Sequence, residues 1–327
     1  MLKIGNVKID GVVALGPMAG ITNEEYRRFL KPYGVALSYT EMISDCGIIY
    51  NNQETISYLP SQETDRPLAL QLFGGRKETL LQALQIIEDK KVPYDILDIN
   101  LGCPMPKVTK TGSGASWLKR PAEMFEMIKE IVACSSKPVT AKIRLGWDEE
   151  KINFEEVVTG LEKAGVAAIA LHSRTRAQVY SGKAKHELIR DLRKKMSIPL
   201  IISGDIFSLD DAIKVQEMTK ADMIMVARGG VGNPKLITQI DCYFRNRERI
   251  DDATLKEQLN AMRNLLNQAT KNQDQRRAVN ELRGILPKFL TGFPHTKKYR
   301  VEITQKATTI DELLKIVEKI ELERVII

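Results

Sequence analysis

The sequence predicts an α/β protein: a (β/α)8 TIM barrel over residues 1–250, followed by a small all-helical domain over 251–327. Three observations predict it. Eight short apolar or β-branched runs recur with amphipathic segments between them, those runs are apolar nearly throughout, and the alternation stops near Asp251. Strands of that kind, alternating with helices, belong to a parallel sheet covered on its outer face. Eight such units in about 235 residues fit the roughly 250 that the barrel usually takes.

In chain order the strands are VALGPMAG from Val13, VALSYTEM from Val35, PLALQLF from Pro67, ILDINLGC from Ile96, PVTAKIRLGW from Pro138, AAIALHSRT from Ala167, PLIISGDI from Pro199 and ADMIMVARGG from Ala221. Helices fall between them, as over 76–91, 121–134 and 208–220, where apolar residues return every three or four positions. Pro121 suits a first helical turn, where its missing N–H costs nothing, and Ser208 followed by Asp211 marks a helix start. An open doubly wound sheet is the alternative. It would carry a GxGxxG fingerprint after the first strand, where this chain reads GPMAGITN. Beyond Asp251 helices are expected over 254–272, 275–291 and 308–323, with Pro287 inside the second and 292-GFP-294 breaking the chain after it.

Composition narrows the function. With 327 residues, 43% of them hydrophobic, the chain can bury a large core. Its N-terminus lacks the order of a signal peptide and no run approaches the roughly 20 apolar residues of a membrane span, so a cytoplasmic protein is expected. Cys46, Cys103, Cys134 and Cys242 are too scattered for a disulfide framework or a CxxC site, and with three histidines no transition-metal site is expected. The net charge is +7. Most of it sits in residues 271–300, where Lys271, Arg276, Arg277, Arg283, Lys288, Lys297, Lys298 and Arg300 stand against Asp274 and Glu281, an excess of six that suggests a polyanionic partner.

A barrel of this type places its active site at the C-terminal ends of the strands, because that rim carries the βα loops. The polar and glycine-rich positions collect there: Pro17-Met18-Ala19-Gly20, Glu41, Gln71, Asn100 with Cys103, Lys142 with Arg144, His172 with Arg174, Gly204-Asp205 and Arg228-Gly229-Gly230. In VTAKIR, Thr140, Lys142 and Arg144 share one face of the strand. Turned inward, the Lys142 ammonium must find an anion or lose its charge; turned to the rim, it snorkels into water. The last strand ends in ARGGVGNP, where glycines let backbone N–H groups approach a phosphate and Arg228 adds a charged fork, an arrangement supported by SGDI after the seventh strand. Cys103 follows the fourth strand. A thiol with a pKa of about 8.5 is mostly protonated at neutral pH and can donate a proton, although a small buried hydrophobe is the commoner fate of a free cysteine.

Taken together, GPMAGITN (16–23), TEMIS (40–44), QLFGG (71–75), DINLGCP (98–104), KIRLGW (142–147), LHSRTRAQVYSG (171–182), SGDI (203–206) and ARGGVGNP (227–234) resemble the tRNA-dihydrouridine synthases, in their bacterial B-type branch. The resemblance implies an FMN enzyme that reduces a D-loop uridine of tRNA and recharges its flavin with NADPH. It implies that Pro17, Met18, Ala19, Gln71 and Lys142 contact the isoalloxazine, and that Ser203, Gly204, Asp205, Ala227 and Arg228 hold the ribityl-phosphate end. It further implies hydride transfer from flavin to carbon 6 of uracil and protonation of carbon 5 by Cys103, on a base flipped out of the tRNA. Asn100, His172 and Arg174 are the positions assigned to orienting uracil and flavin carbonyls. No metal, membrane or obligate protein partner is implied.

The C-terminal part matches the family's helical tRNA-binding domain more loosely, best over 276–294. Arg276, Asn280 and Arg283 fall at i, i+4 and i+7 and form a stripe that either follows a phosphate backbone or is a solvated helix face. Four departures stand out: Ser203 where the family usually has asparagine, His186 and Lys235 where aromatic residues are common, and Gly284-Ile285 in place of a basic pair. Two other readings compete. One is an FMN barrel acting on a free pyrimidine, as dihydroorotate dehydrogenases do, which has no need of the late basic segment. The other is a catalytically inert RNA-binding barrel, which has no need of Cys103 and Lys142.

Overall fold

A computed structural model of the chain describes residues 1–270 and 274–325. Lys271 of the basic segment, and the end of the helix expected over 254–272, lie outside the described residues. The chain opens with a hairpin that the strand pattern did not include: β1 (Leu2–Ile4) pairs antiparallel with β2 (Val7–Ile9) across the two residues Gly5-Asn6. Eight parallel strands follow: β3 (Val13–Leu15), β4 (Val35–Ser44), β5 (Leu68–Phe73), β6 (Ile96–Asn100), β7 (Val139–Arg144), β8 (Ala168–His172), β9 (Leu200–Ser203) and β10 (Met223–Val226). They close in sequence order, β10 pairing with β3, into one barrel. All eight expected strands are present.

Strand alternation sorts the side chains into two cores. Ala14, Ala69, Ile96, Ala168, Ala170, Ile201, Met223 and Met225 fill the barrel interior together with Ile4 and Ile9 of the hairpin, which close its N-terminal end. Their neighbours, such as Leu70, Leu97, Ala141, Ile169 and Ile202, face outward to the helices. The same parity carried one or two steps further points Gln71, Asp98, Asn100, Thr140, Lys142, Arg144, His172 and Ser203 inward. Cross-strand register sets them at nearly one height: Gln71 opposite Asp98, Asn100 opposite Lys142, Arg144 opposite His172 and His172 opposite Ser203. An apolar base and a polar top are therefore two layers of one interior.

The helices Lys77–Asp89, Pro121–Cys134 and Leu209–Thr219 match expectation, with Pro121 in the first turn of its helix and Ser208 and Asp211 forming a reciprocal capping box. Past the barrel come Leu255–Ala269, Gln275–Phe289, Lys297–Gln305 and Ile310–Val325. The third of these was not anticipated. Its nine residues bury only Tyr299 and Ile303, too short an apolar pattern to stand out after the break at 292–294. These helices share the barrel's outer core, with the Phe29 and Phe289 rings 6.1 Å apart. Gln258 Nε2 donates to the Gly232 carbonyl at 3.0 Å, and Tyr26 Oη to that of Gly230 at 3.2 Å. Among the described residues no helix is long and apolar enough to cross a membrane.

Gly232 shows how closely the two parts meet. It has φ +72°, and a Cβ there would stand 2.5 Å from the Lys288 backbone carbon. Gly284, by contrast, lies inside the helix Gln275–Phe289 where a methyl group would meet nothing within 4 Å. Gly232→Ala is expected to destabilise the protein by about 2 kcal/mol or more, through strain and collision together. Gly284→Ala should stabilise it by about 0.5–1 kcal/mol. Urea unfolding of the two variants checks both signs.

Candidate active site

At the C-terminal end of the barrel the polar layer surrounds a cavity of about 340 Å³, within the usual range for small-molecule sites. Pro17, Met18, Ala19, Gln71, Asn100, Cys103, Lys142, His172, Ser203, Gly204, Asp205, Ala227 and Arg228 all line it. The fold thus brings together residues spread over more than 200 positions of sequence. The cavity also takes in Met42, Arg144, Tyr180, Phe207 and Met225, none of them assigned a role from sequence. For Arg144 and Met225 the signal was present, as continuations of the inward parity of β7 and β10. Tyr180 and Phe207 stand on loops, where no periodicity reports direction.

Cys103 is held from its backbone. Asn100 Oδ1 accepts the N–H groups of Gly102 and Cys103 at 3.1 and 2.8 Å. Arg144 donates to the Gly102 carbonyl at 2.9 Å and to those of Thr175 and Val179, each at 2.8 Å, so one guanidinium ties the Cys103 loop to the loop after β8. Burial pushes the Cys103 thiol up; the Met105 N–H and the charges of Arg144 and Lys142 oppose this without reversing it. The group is a protonated thiol at neutral pH. Burial, and then Arg144, pull Lys142 down to about 8, while Asp98 and Cys103 act the other way.

His172 meets burial and four cations, Arg144, Lys142, Arg174 and Arg228, which hold it well below the ordinary range, so it is neutral. Its Nε2 lies 3.4 Å from Arg174 and its Nδ1 3.3 Å from Ser203 Oγ. A guanidinium can only donate, which leaves the ring proton on Nδ1, facing Ser203. Arg174, expected to orient a bound carbonyl, does not line this cavity. It is 2% exposed and bonded to Asp205 at 2.6 Å and to the carbonyls of Ser181 and Gly182. It braces Asp205.

The loops after β9 and β10 form the other end. Their approach is so close that a Cβ on Gly229 would stand 1.9 Å from the Ile206 carbonyl oxygen. The backbone N–H groups of Gly204, Asp205, Arg228 and Gly229 find no acceptor among the described residues. Arg228 stands over the rings of Tyr180 and Phe207, 4.5 and 5.5 Å from their centres, and 3.2 Å from Asp205. From below, His186 Nε2 donates to the Gly204 carbonyl at 2.9 Å while its Nδ1 meets Ser173 Oγ at 2.9 Å. Four free N–H groups and one guanidinium make a cradle for an anion.

Arg276 and Asn280 lie elsewhere, on an open groove along the helix Gln275–Phe289. That groove also includes Gly20, next to the cavity-lining Pro17–Ala19, and Glu41 accepts the Gly20 N–H. Arg283 does not line it. Its guanidinium donates to the Thr304 carbonyl at 2.8 Å and so caps the end of Lys297–Gln305, which divides the expected stripe. Among the described residues no group of His, Cys, Asp and Glu gathers as a metal ion would need.

Because the folded state holds Lys142 near 8, below its value in the unfolded chain, the unfolded chain binds more protons between about pH 8 and 10.5. Stability conferred at this position therefore rises with pH across that window. Wild type should gain thermal stability relative to Lys142→Met from pH 8 to 10; parallel curves would show that Lys142 titrates normally.

Residues 12–325 match the family model described as dihydrouridine synthase. The chain is 34% identical over 307 residues to a probable tRNA-dihydrouridine synthase 1 of Synechocystis sp., covering 93% of this chain and 85% of that protein. It is 34% identical over 313 residues to a probable tRNA-dihydrouridine synthase of Aquifex aeolicus, covering 94% and 96%. It is also 34% identical over 257 residues to tRNA-dihydrouridine synthase B of Pseudomonas aeruginosa, covering 79% and 77%. Among solved structures, an old yellow enzyme homologue from Zymomonas mobilis superposes with TM-score 0.55 at 11% identity, over 79% of this chain and 94% of that one. A 6-hydroxypseudooxynicotine amine oxidase from Pseudomonas geniculata does so with TM-score 0.58 at 13% identity, over 76% and 49%; at such identities the likeness is one of fold. By the span of the family match and the identity to its members, this chain belongs to the dihydrouridine synthase family.

Proposed function

We propose that the protein is a tRNA-dihydrouridine synthase that holds FMN in the barrel cavity, uses NADPH as reductant and converts a D-loop uridine of tRNA to 5,6-dihydrouridine. The observation that carries the reading is convergence: a protonated thiol, an inward ammonium and a cradle of unpaired N–H groups face one cavity. The residues fit FMN. Pro17, Met18, Ala19 and Met225 offer flat apolar surface, Gln71, Asn100 and Lys142 offer donors to a polar ring edge, and Ser203, Gly204, Asp205, Ala227, Arg228 and Gly229 offer a phosphate its N–H groups and guanidinium. When bound, FMN supplies the hydride delivered to carbon 6 of uracil.

Cys103 Sγ then gives its proton to carbon 5, a role that its raised pKa favours by keeping the proton in place until it is needed. Lys142 stabilises negative charge on the ring it faces. Neutral His172 offers its Nδ1 N–H to a carbonyl without adding to the positive charge of the site. A stacked base cannot enter the barrel, so the uridine is flipped out of the tRNA to reach it.

Residues 1–250 form the catalytic domain in this reading and residues 251–327 the tRNA-docking domain, acting in the cytoplasm. Arg276 and Asn280 contact phosphates along the groove that reaches the cavity through Gly20, while Arg283 stiffens the helix pair behind them.

The purified protein should carry flavin absorbance that bleaches with NADPH and recovers with tRNA lacking dihydrouridine; recovery with a free pyrimidine but not with tRNA would overturn the reading. Cys103→Ala should keep its flavin and lose turnover by about 100-fold or more, the usual worth of a positioned acid. Arg276→Glu should weaken tRNA binding and lower the slope of log K against log salt by about one, as measured by filter binding across a salt series.

A further inference from the structure

Asp98 belongs to none of the surfaces described above. It does not line the cavity, is fully buried, and points inward from β6 two residues before Asn100. Its carboxylate nevertheless begins a chain of hydrogen bonds that ends at Cys103. Asp98 Oδ1 accepts from Thr140 Oγ at 2.6 Å and Oδ2 accepts from Gln71 Nε2 at 2.7 Å. Gln71 Oε1 accepts from Asn100 Nδ2 at 2.8 Å. Asn100 Oδ1 is left to take the N–H of Cys103 at 2.8 Å.

A side-chain amide is nearly symmetric in shape, and a half-turn exchanges its donor and acceptor at little steric cost. Something must therefore choose the direction. An ionised carboxylate can only accept and a backbone N–H can only donate. With Asp98 at one end and Cys103 N–H at the other, both amides have a single consistent orientation. Burial raises Asp98 to about 6, offset in part by its bonds to Thr140 and Gln71 and by Lys142; both of its oxygens accept from side-chain donors, the pattern of an ionised carboxylate. Gln71 is left with one further N–H for the cavity that both amides line, and that of Asn100 meets Met42 Sδ at 3.8 Å on the same wall. The donor character of that wall is thus decided by a residue that does not touch it.

We infer that Asp98 is a positioning residue: from its end of the chain it fixes the direction of the Gln71 and Asn100 amides, which sets a Gln71 N–H donor on the cavity wall and anchors the Cys103 backbone to Asn100. The catalytic part of this inference rests on the proposed flavin reaction, whereas the anchoring part concerns the protein alone.

Asp98→Asn keeps the volume but can donate as well as accept, so the chain keeps its direction from the Cys103 end alone. Thr140→Ser trims a methyl group beside the same carboxylate but keeps the hydroxyl that donates to it, so the direction stands. The experiment measures alkylation of Cys103 by iodoacetamide, read from the mass of its peptide at saturating FMN, beside steady-state kinetics on unmodified tRNA. In Asp98→Asn, alkylation should rise about fivefold, the factor that one lost hydrogen bond is worth. Its kcat should fall about tenfold with KM for tRNA unchanged, the pattern of an interaction that matters at the chemical step. Thr140→Ser should stay within about twofold of wild type in both measures. Equal alkylation of Asp98→Asn and wild type, or equal behaviour of the two variants, overturns the inference. Should Asp98→Asn not fold, Asn100→Ala serves: it removes the anchor itself, and an unchanged alkylation rate there is equally fatal. Failure of the functional reading shows separately, as wild type that neither holds flavin nor turns over tRNA, and the alkylation comparison is unaffected by it.

Discussion

A closed barrel has one interior, and every inward side chain must find its partners there. This constraint organises the molecule. Eight strands of fixed parity send an apolar layer, led by Ala69, Ala170, Ile201 and Met225, into the base, and a polar layer into the top. Polar groups in that upper layer lack bulk water, so each one that is not bonded to a neighbour is costly. Gln71, Asn100 and Arg144 answer this by bonding to each other or to loop carbonyls, and His172 by contacts with Arg174 and Ser203. The Lys142 ammonium and the N–H groups after β9 and β10, which find no hydrogen-bond partner among the described residues, are what a ligand must satisfy.

The charge balance points the same way. Arg144, Lys142, Arg174 and Arg228 all act on His172, while the carboxylates within reach are Asp98, spoken for by Gln71 and Thr140, and Asp205, spoken for by Arg174 and Ala184. The cavity is left electropositive with a neutral imidazole in its wall. Such a site suits a molecule that brings phosphate and gains negative charge on reduction. The same field keeps Cys103 from being pushed higher still, so the thiol remains an acid that can give up its proton.

The departures from the family pattern fall where the structure absorbs them. Ser203 exchanges a longer side chain for a hydroxyl that meets His172. His186 replaces an aromatic residue with a ring that keeps the bulk and adds a hydrogen bond to the Gly204 carbonyl. Lys235 pairs with Glu257 at 2.9 Å and so ties the helix after β10 to the first C-terminal helix. Ile285 is buried, a place where a basic side chain would need a partner, and Gly284 faces open space. None of these changes disturbs the contacts that hold Cys103.

The number of strands, their order, the capping of the helix at Ser208 and the identity of the rim residues were legible in the sequence, because periodicity, proline and glycine placement, and motif spacing are local and survive without coordinates. The hairpin at Leu2–Ile9 carried its own turn signal, Gly5-Asn6, between runs too short to weigh against the barrel strands. Tertiary structure alone decided what each rim residue does. Sequence placed Arg174 beside His172 but could not show that its guanidinium turns back onto Asp205, and it read Arg276, Asn280 and Arg283 as one stripe where a neighbouring carbonyl claims the third. It also gave Asp98 no more meaning than any strand residue. The physical reason is the same in each case: a side chain's role is fixed by the partners that chain closure brings to it, and those partners lie tens to hundreds of residues away.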